Sequence, residues 1–175
     1  MSEAAGRADV GGDDPVLVIG IGNALRGDDA AGLQIVQRVR EQPRVACTTH
    51  DGEAIGLLER WRGARAVVLV DTIRSGAPAG TVHRLDASAE PIPTALRRAS
   101  SHTIGIGETI ELARTLGRLP ERVIVYGVEG SRFDAGAQLS REVAQVIDEV
   151  AEAVAREARS LADWRTNEPS AGEVA

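Results

Sequence analysis

Three side chains in this sequence have the types needed for hydrolytic or metal chemistry: Asp29, Asp71 and His102. Asp29 closes the run Gly27-Asp28-Asp29, Asp71 follows directly on the apolar run Val67-Val68-Leu69-Val70, and His102 comes after Ser100-Ser101. Two carboxylates and an imidazole supply two hard oxygen donors and one borderline nitrogen. That set suits a divalent transition metal with coordination positions left open for other ligands. The same three groups could also do metal-free acid and base work, with one carboxylate positioning a water. Taken singly, each has an ordinary explanation. An aspartate entering a helix caps it, one at a strand end bonds turn amides, and a loop histidine is usually a surface group.

The elements around them argue that the three meet. Short β-branched runs occur at Val16 to Gly20, Val45 to Thr49, Ala66 to Asp71, Gly80 to Leu85 and Val123 to Val128, and their composition predicts strands. Helical spacing falls between them, at Ala31, Ile35, Val36 and Val39, at Ile106, Ile110, Ala113 and Leu116, and at Val143, Val146, Ile147, Val150 and Val154. The order βαβαββαβα predicts a three-layer α/β/α fold, with a mostly parallel five-stranded sheet in which the strand entered through Ser75 to Gly80 runs antiparallel. Ligands of such sheets sit beyond the carboxyl ends of the parallel strands. Asp29 and Asp71 lie at such ends, and the helix after His102 must start at the same edge to feed the last parallel strand. Residues 15–163 read as one domain, with 1–14 and 164–175 as loose polar tails.

Other features exclude function classes. With 20 basic and 26 acidic residues the net charge is −6, which opposes phosphate backbones and anionic lipid. Nucleic acid and membrane are not expected partners. The lone Cys47 allows neither an intrachain disulfide nor a cysteine metal cluster. The first fourteen residues have no basic start or apolar core, so they do not read as an export signal, and a cytoplasmic location is expected. Gly20-x-Gly22 after a strand suggests a dinucleotide fingerprint, but Leu25 stands at its third glycine. Asp28 and Asp29 also put negative charge where a pyrophosphate needs a positive helix end. No nucleotide is expected.

The segment VLVIGIGNALRGDDAAG, residues 16–32, closely resembles the opening of the nickel-iron hydrogenase maturation proteases. DGEAIGLLE at 51–59, VVLVDTIRSG at 67–76, SSHTIGIGETIELA at 100–113 and VYGVEG at 125–130 resemble later segments of that family at matching intervals. The resemblance implies an endopeptidase that removes the C-terminal extension of a nickel-loaded hydrogenase large-subunit precursor. It implies that Asp29, Asp71 and His102 engage the metal and that the nickel is carried by the substrate protein; a free monomer is expected. Many members have glutamate where this chain has Asp29, a second glycine at Glu53 and proline at Gly130. Glu129, with Asp51 and Glu53, is expected to make the pocket rim more acidic. A different class remains open on the same residues: a non-catalytic nickel-sensing or chaperone-like module that binds the precursor without cutting it.

Overall fold

The computed structural model describes residues 16–40, 45–94 and 105–167. His102 and the expected tail 1–14 lie outside the described residues. Five strands form one sheet: β1 (Val16–Ile21), β2 (Val45–His50), β3 (Ala66–Ile73), β4 (Val82–Asp86) and β5 (Arg122–Glu129). Among the described residues the helices are α1 (Ala31–Val39), α2 (Ala54–Arg60), α3 (Ile106–Thr115) and α4 (Arg141–Asn167). A short 3-10 turn, Gly27–Ala30, leads into α1. The last helix continues through Asn167, so residues 164–167, read from composition as the start of a tail, are helical instead. The apolar stripe that begins at Val143 persists to Leu161 and Ala162, and that burial carries the helix past the point where its composition turns polar.

The strand order is β2-β1-β3-β5-β4. The first four of these pair in parallel and β4 runs antiparallel to β5 at the edge, as the sequence order requires. Strand side chains alternate between faces, and this alternation divides the core in two. Val16, Val18, Val68, Val70, Ile124, Tyr126 and Val128 pack beneath α1 and α4. Ile19, Ile21, Val67, Leu69, Val123 and Val125 pack on the other face, against Leu57, Leu58, Trp61, Ile106 and Ile110. Burying one such aliphatic side chain stabilises the fold by roughly 1.5–3 kcal/mol. All eight residues of β3 are buried, which explains why its apolar run is continuous rather than alternating. The edge strand is tied down by polar contacts. Arg84 donates to both carboxylate oxygens of Glu157 in α4, at 2.6 and 2.9 Å, and the Tyr126 hydroxyl donates to the same group at 3.1 Å. No helix among the described residues is long and apolar enough to cross a membrane.

Candidate active site

β1 ends against α1, and the approach is so close that only glycines fit. A Cβ on Gly20 would lie 2.4 Å from the Gly32 carbonyl oxygen in α1, and one on Gly32 would lie 2.4 Å from the Ile21 carbonyl oxygen and 2.5 Å from that of Val70. Gly22 has φ +143°, and a Cβ there would lie 1.8 Å from the Asp29 carbonyl oxygen. The glycines that suggest a dinucleotide fingerprint therefore bring the 3-10 turn and α1 onto the strand ends. From Gly22 the chain turns through Asn23, whose side-chain oxygen accepts from the Leu25 amide at 2.9 Å. It then enters the turn that carries Asp28 and Asp29.

These two aspartates are both wholly buried, yet their surroundings differ. The turn has no side-chain cap, so neither aspartate serves as the cap expected for one of them. Asp28 instead organises a distant loop. Its carboxylate accepts from the amides of Ser131, Arg132 and Ser140 at 2.8, 2.8 and 2.6 Å, and from the Ser140 hydroxyl at 2.9 Å. Burial pushes its pKa up, but the hydrogen bonds from Ser140, Ser131 and Arg132 outweigh that and hold it below the usual aspartate value. Asp29 is directed to the other side of the turn, where one carboxylate oxygen accepts from the Asn23 amide at 3.1 Å.

The end of β3 supplies the second carboxylate. Asp71 is 1% exposed and follows Val67 and Leu69 in the alternation, so it faces the α2 and α3 side. There it lines a cleft with Ile106 and Ile110. Thr72, one residue on, faces the α1 side, and its hydroxyl donates to the Asp28 carbonyl oxygen at 2.7 Å. This single buried bond joins the segment carrying Asp29 to the one carrying Asp71. The segments carrying Asp29 and Asp71 thus meet at the carboxyl ends of the adjacent strands β1 and β3. Thr72 as the strut is not apparent in the sequence, where it is one more β-branched residue at a strand end.

The remaining strand exits are structural. Glu129, expected on the acidic rim, is only 2% exposed. Its carboxylate accepts from the Ser75 amide and hydroxyl at 3.1 and 2.7 Å and from the Gly76 amide at 2.9 Å, clamping the turn between β3 and β4. Glu53 caps α2, accepting from the amides of Ile55 and Gly56 at 2.9 and 2.7 Å. The Gly56 bond, then the Ile55 bond, holds its pKa below the usual glutamate value. His50 accepts from the Gly52 amide at 3.0 Å. Asp51 is exposed; its carboxylate accepts from the Glu53 amide at 3.1 Å and lies 3.4 Å from the His50 ring nitrogen. His83 lies on the edge strand with its ring nitrogen 3.9 Å from the Glu129 carboxylate.

His102 lies outside the described residues, and α3 begins four residues after it, at Ile106. Among the described residues no group of three or more His, Cys, Asp or Glu side chains could hold a metal ion. The buried oxygens of Asp29 and Asp71 suit a divalent cation in kind, and with one further nitrogen donor they would meet it as an open site rather than a closed structural one.

A doubly covered, mostly parallel sheet defines the class: an α/β protein with two buried aspartates where β1 and β3 end. Residues 49–157 match the model of the family described as hydrogenase maturation protease. The hydrogenase expression/formation protein HupD of Rhodobacter capsulatus is 32% identical over 155 residues, which are 85% of this chain and 72% of that protein. HupD of Thiocapsa roseopersicina is 30% identical over 126 residues, 70% of this chain and 57% of that protein. Two solved structures share the fold. The hydrogenase maturating endopeptidase HybD from E. coli has a TM-score of 0.69 at 23% identity, over 83% of this chain and 93% of that one. The [NiFe] hydrogenase maturation protease HybD from Thermococcus kodakarensis has a TM-score of 0.67 at 24% identity, over 82% and 99%. The chain belongs to the hydrogenase maturation protease family.

Proposed function

We propose that this chain is an endopeptidase that removes the C-terminal extension of a nickel-loaded hydrogenase large-subunit precursor, reading the substrate's nickel through Asp29, Asp71 and His102. The observation that carries the reading is the burial of two carboxylates at the ends of the adjacent strands β1 and β3, in a chain of this family. The nickel belongs to the precursor, and the carboxylates and the imidazole recognise it there.

Peptide hydrolysis then needs a water positioned beside the scissile carbonyl and a base to take its proton. Asp29 and Asp71 are the candidates, and the proton passes to the leaving amine as the C–N bond breaks. We place the enzyme in the cytoplasm as a free monomer that meets its precursor after nickel insertion.

The test is cleavage of purified precursor, nickel-loaded or nickel-free, followed by mass spectrometry. The wild type should shorten only the loaded form. Asp29→Ala, Asp71→Ala and His102→Ala should each slow the cut by at least about 100-fold, the scale of a lost acid–base group. Normal rates in all three variants would sink the assignment. A wild type that binds the loaded precursor stably and never shortens it would make the chain a nickel-sensing module instead.

A further inference from the structure

Three arginines converge on the loop that follows β5: Arg26 in the loop after β1, Arg74 just beyond β3, and Arg132 within the β5 loop itself. The backbone draws them together. The Arg132 carbonyl accepts from the Asp28 amide at 2.7 Å, and a Cβ on Gly27 would lie 2.5 Å from that oxygen, so Arg132 adjoins the Arg26-Gly27 peptide. On the other side the Gly130 amide donates to the Ile73 carbonyl at 2.9 Å, and the Arg74 guanidinium sits 4.3 Å from the centre of the buried Phe133 ring. Arg26 is half-buried, and Arg74 and Arg132 are exposed. Among the described residues none of the three is in an ion pair, whereas Arg38, Arg65, Arg84 and Arg122 each engage a carboxylate. The acids beneath them, Asp28 and Glu129, are buried and already accept from amides and hydroxyls. Exposed Asp134, in the same loop, offsets one charge of the three at most. Beside Arg26, Leu25 is 73% exposed, although its amide donates to the Asn23 side chain at 2.9 Å and its carbonyl accepts from the Gly136 amide at 2.8 Å.

We infer that this surface docks an acidic segment of the precursor, with carboxylates on the three guanidinium groups and an apolar side chain against Leu25. The inference rests on the proposed action on that precursor. Unpaired arginines in a chain of net charge −6 form a positive patch against a negative background, and the guanidinium fork matches a carboxylate bidentately. The net charge opposes a nucleic-acid backbone, which leaves an acidic peptide as the favoured occupant. A backbone pinned on both sides of Leu25 presents that side chain already ordered, which lowers the entropic cost of binding. The docking surface lies beside the point of the cut. A Cβ on Gly130 would lie 2.6 Å from the Thr72 side chain and 3.1 Å from that of Asp28, so the loop packs on the Thr72 face of β3, opposite the face to which Asp71 points. Charge complementarity of this kind sets orientation and association rate more than final affinity.

The experiment uses the full chain and nickel-loaded precursor, and reads binding apart from cleavage: Kd and association rate by biolayer interferometry, kcat and KM by mass spectrometry of the products. Arg26→Glu, Arg74→Glu and Arg132→Glu combined should raise Kd about 10-fold or more, mainly through slower association. The corresponding Gln triple should raise it less, and the Lys triple should restore most of the affinity. Raising salt from about 50 to about 300 mM should weaken the wild type far more than the Gln triple. Any loss of turnover should sit in KM. Arg132→Gln alone, at an exposed side chain, should weaken binding about 2- to 5-fold, and it keeps the test decisive if the combined variants do not fold. An unchanged Kd in the Glu triple would overturn the inference. So would a fall in kcat at unchanged Kd, since the arginines would then only balance the buried carboxylates. A dimer of the free chain that the Gln triple dissolves would make a second copy the occupant and overturn it as well. If the wild type binds loaded precursor but never shortens it, the protease assignment fails, and the same Kd ratios still decide the arginine surface.

Discussion

Replacing Asp28 with Asn preserves the shape of a side chain on which a distant loop depends, and changes only its hydrogen-bonding character. One carboxylate oxygen accepts from the amides of Ser131 and Arg132 and the hydroxyl of Ser140, and the other accepts from the Ser140 amide. In Asp28→Asn, the amide oxygen can take the first three donors only if its NH2 group faces the Ser140 amide, donor against donor, in a wholly buried site. A hydrogen bond to a charged acceptor contributes about 1.5–3 kcal/mol, and an unsatisfied buried donor costs about 1–3 kcal/mol. Together they put the loss at about 3–5 kcal/mol. Urea unfolding followed by circular dichroism should show a lower midpoint with an unchanged slope.

The pH dependence supplies a second readout. The folded Asp28 carboxyl titrates below its value in the unfolded chain, which is about 3.9. Its stabilisation is therefore complete above that unfolded value and is lost as the pH falls through the lower folded one. The gap in stability between wild type and Asp28→Asn should accordingly be full at neutral pH and narrow below about pH 4. A midpoint shift worth less than about 1 kcal/mol, or a gap that is unchanged in acid, would refute the view that the buried carboxylate anchors the loop.

Three further outcomes follow from the same geometry. Thr72→Val should cost about 0.5–1.5 kcal/mol by removing one of the two donors to the Asp28 carbonyl, which keeps the Ala31 amide, while Thr72→Ser should keep most of the stability. Thermal unfolding of the pair checks this. Gly22→Ala should destabilise by at least about 2 kcal/mol, because the backbone holds φ +143° and the new methyl group would meet the Asp29 carbonyl. An unchanged melting temperature would show that the turn relaxes freely. Burial pushes the Cys47 thiol up to about 11, against a smaller lowering by Arg40, so at pH 8 it stays protonated. Iodoacetamide should label it far more slowly in the folded chain than in urea, and equal rates would contradict that.

The local sequence determined the periods of the elements, though not where the last helix or the strands after Ala66 and Gly80 end. The β-branched run within Val16–Ile21 and the continuous apolar run of β3 mark strands, and helical spacing marks α1, α3 and α4. The chain order of those elements is enough to place Asp29 and Asp71 at the carboxyl edge. What the sequence could not apportion was the work of neighbouring acidic residues. Asp28 and Asp29 are identical in type and adjacent, and only the return of residues 131–140 to the 3-10 turn makes Asp28 the anchor of that loop while Asp29 accepts from the Asn23 amide. Glu129 reads as a rim charge until the turn after β3 folds over it. Thr72 acquires its meaning from the sheet itself: alternation sends it to the face opposite Asp71. Period and propensity act within a few residues along the chain, whereas pairing partners come from segments distant in sequence and are decided only when the whole sheet assembles.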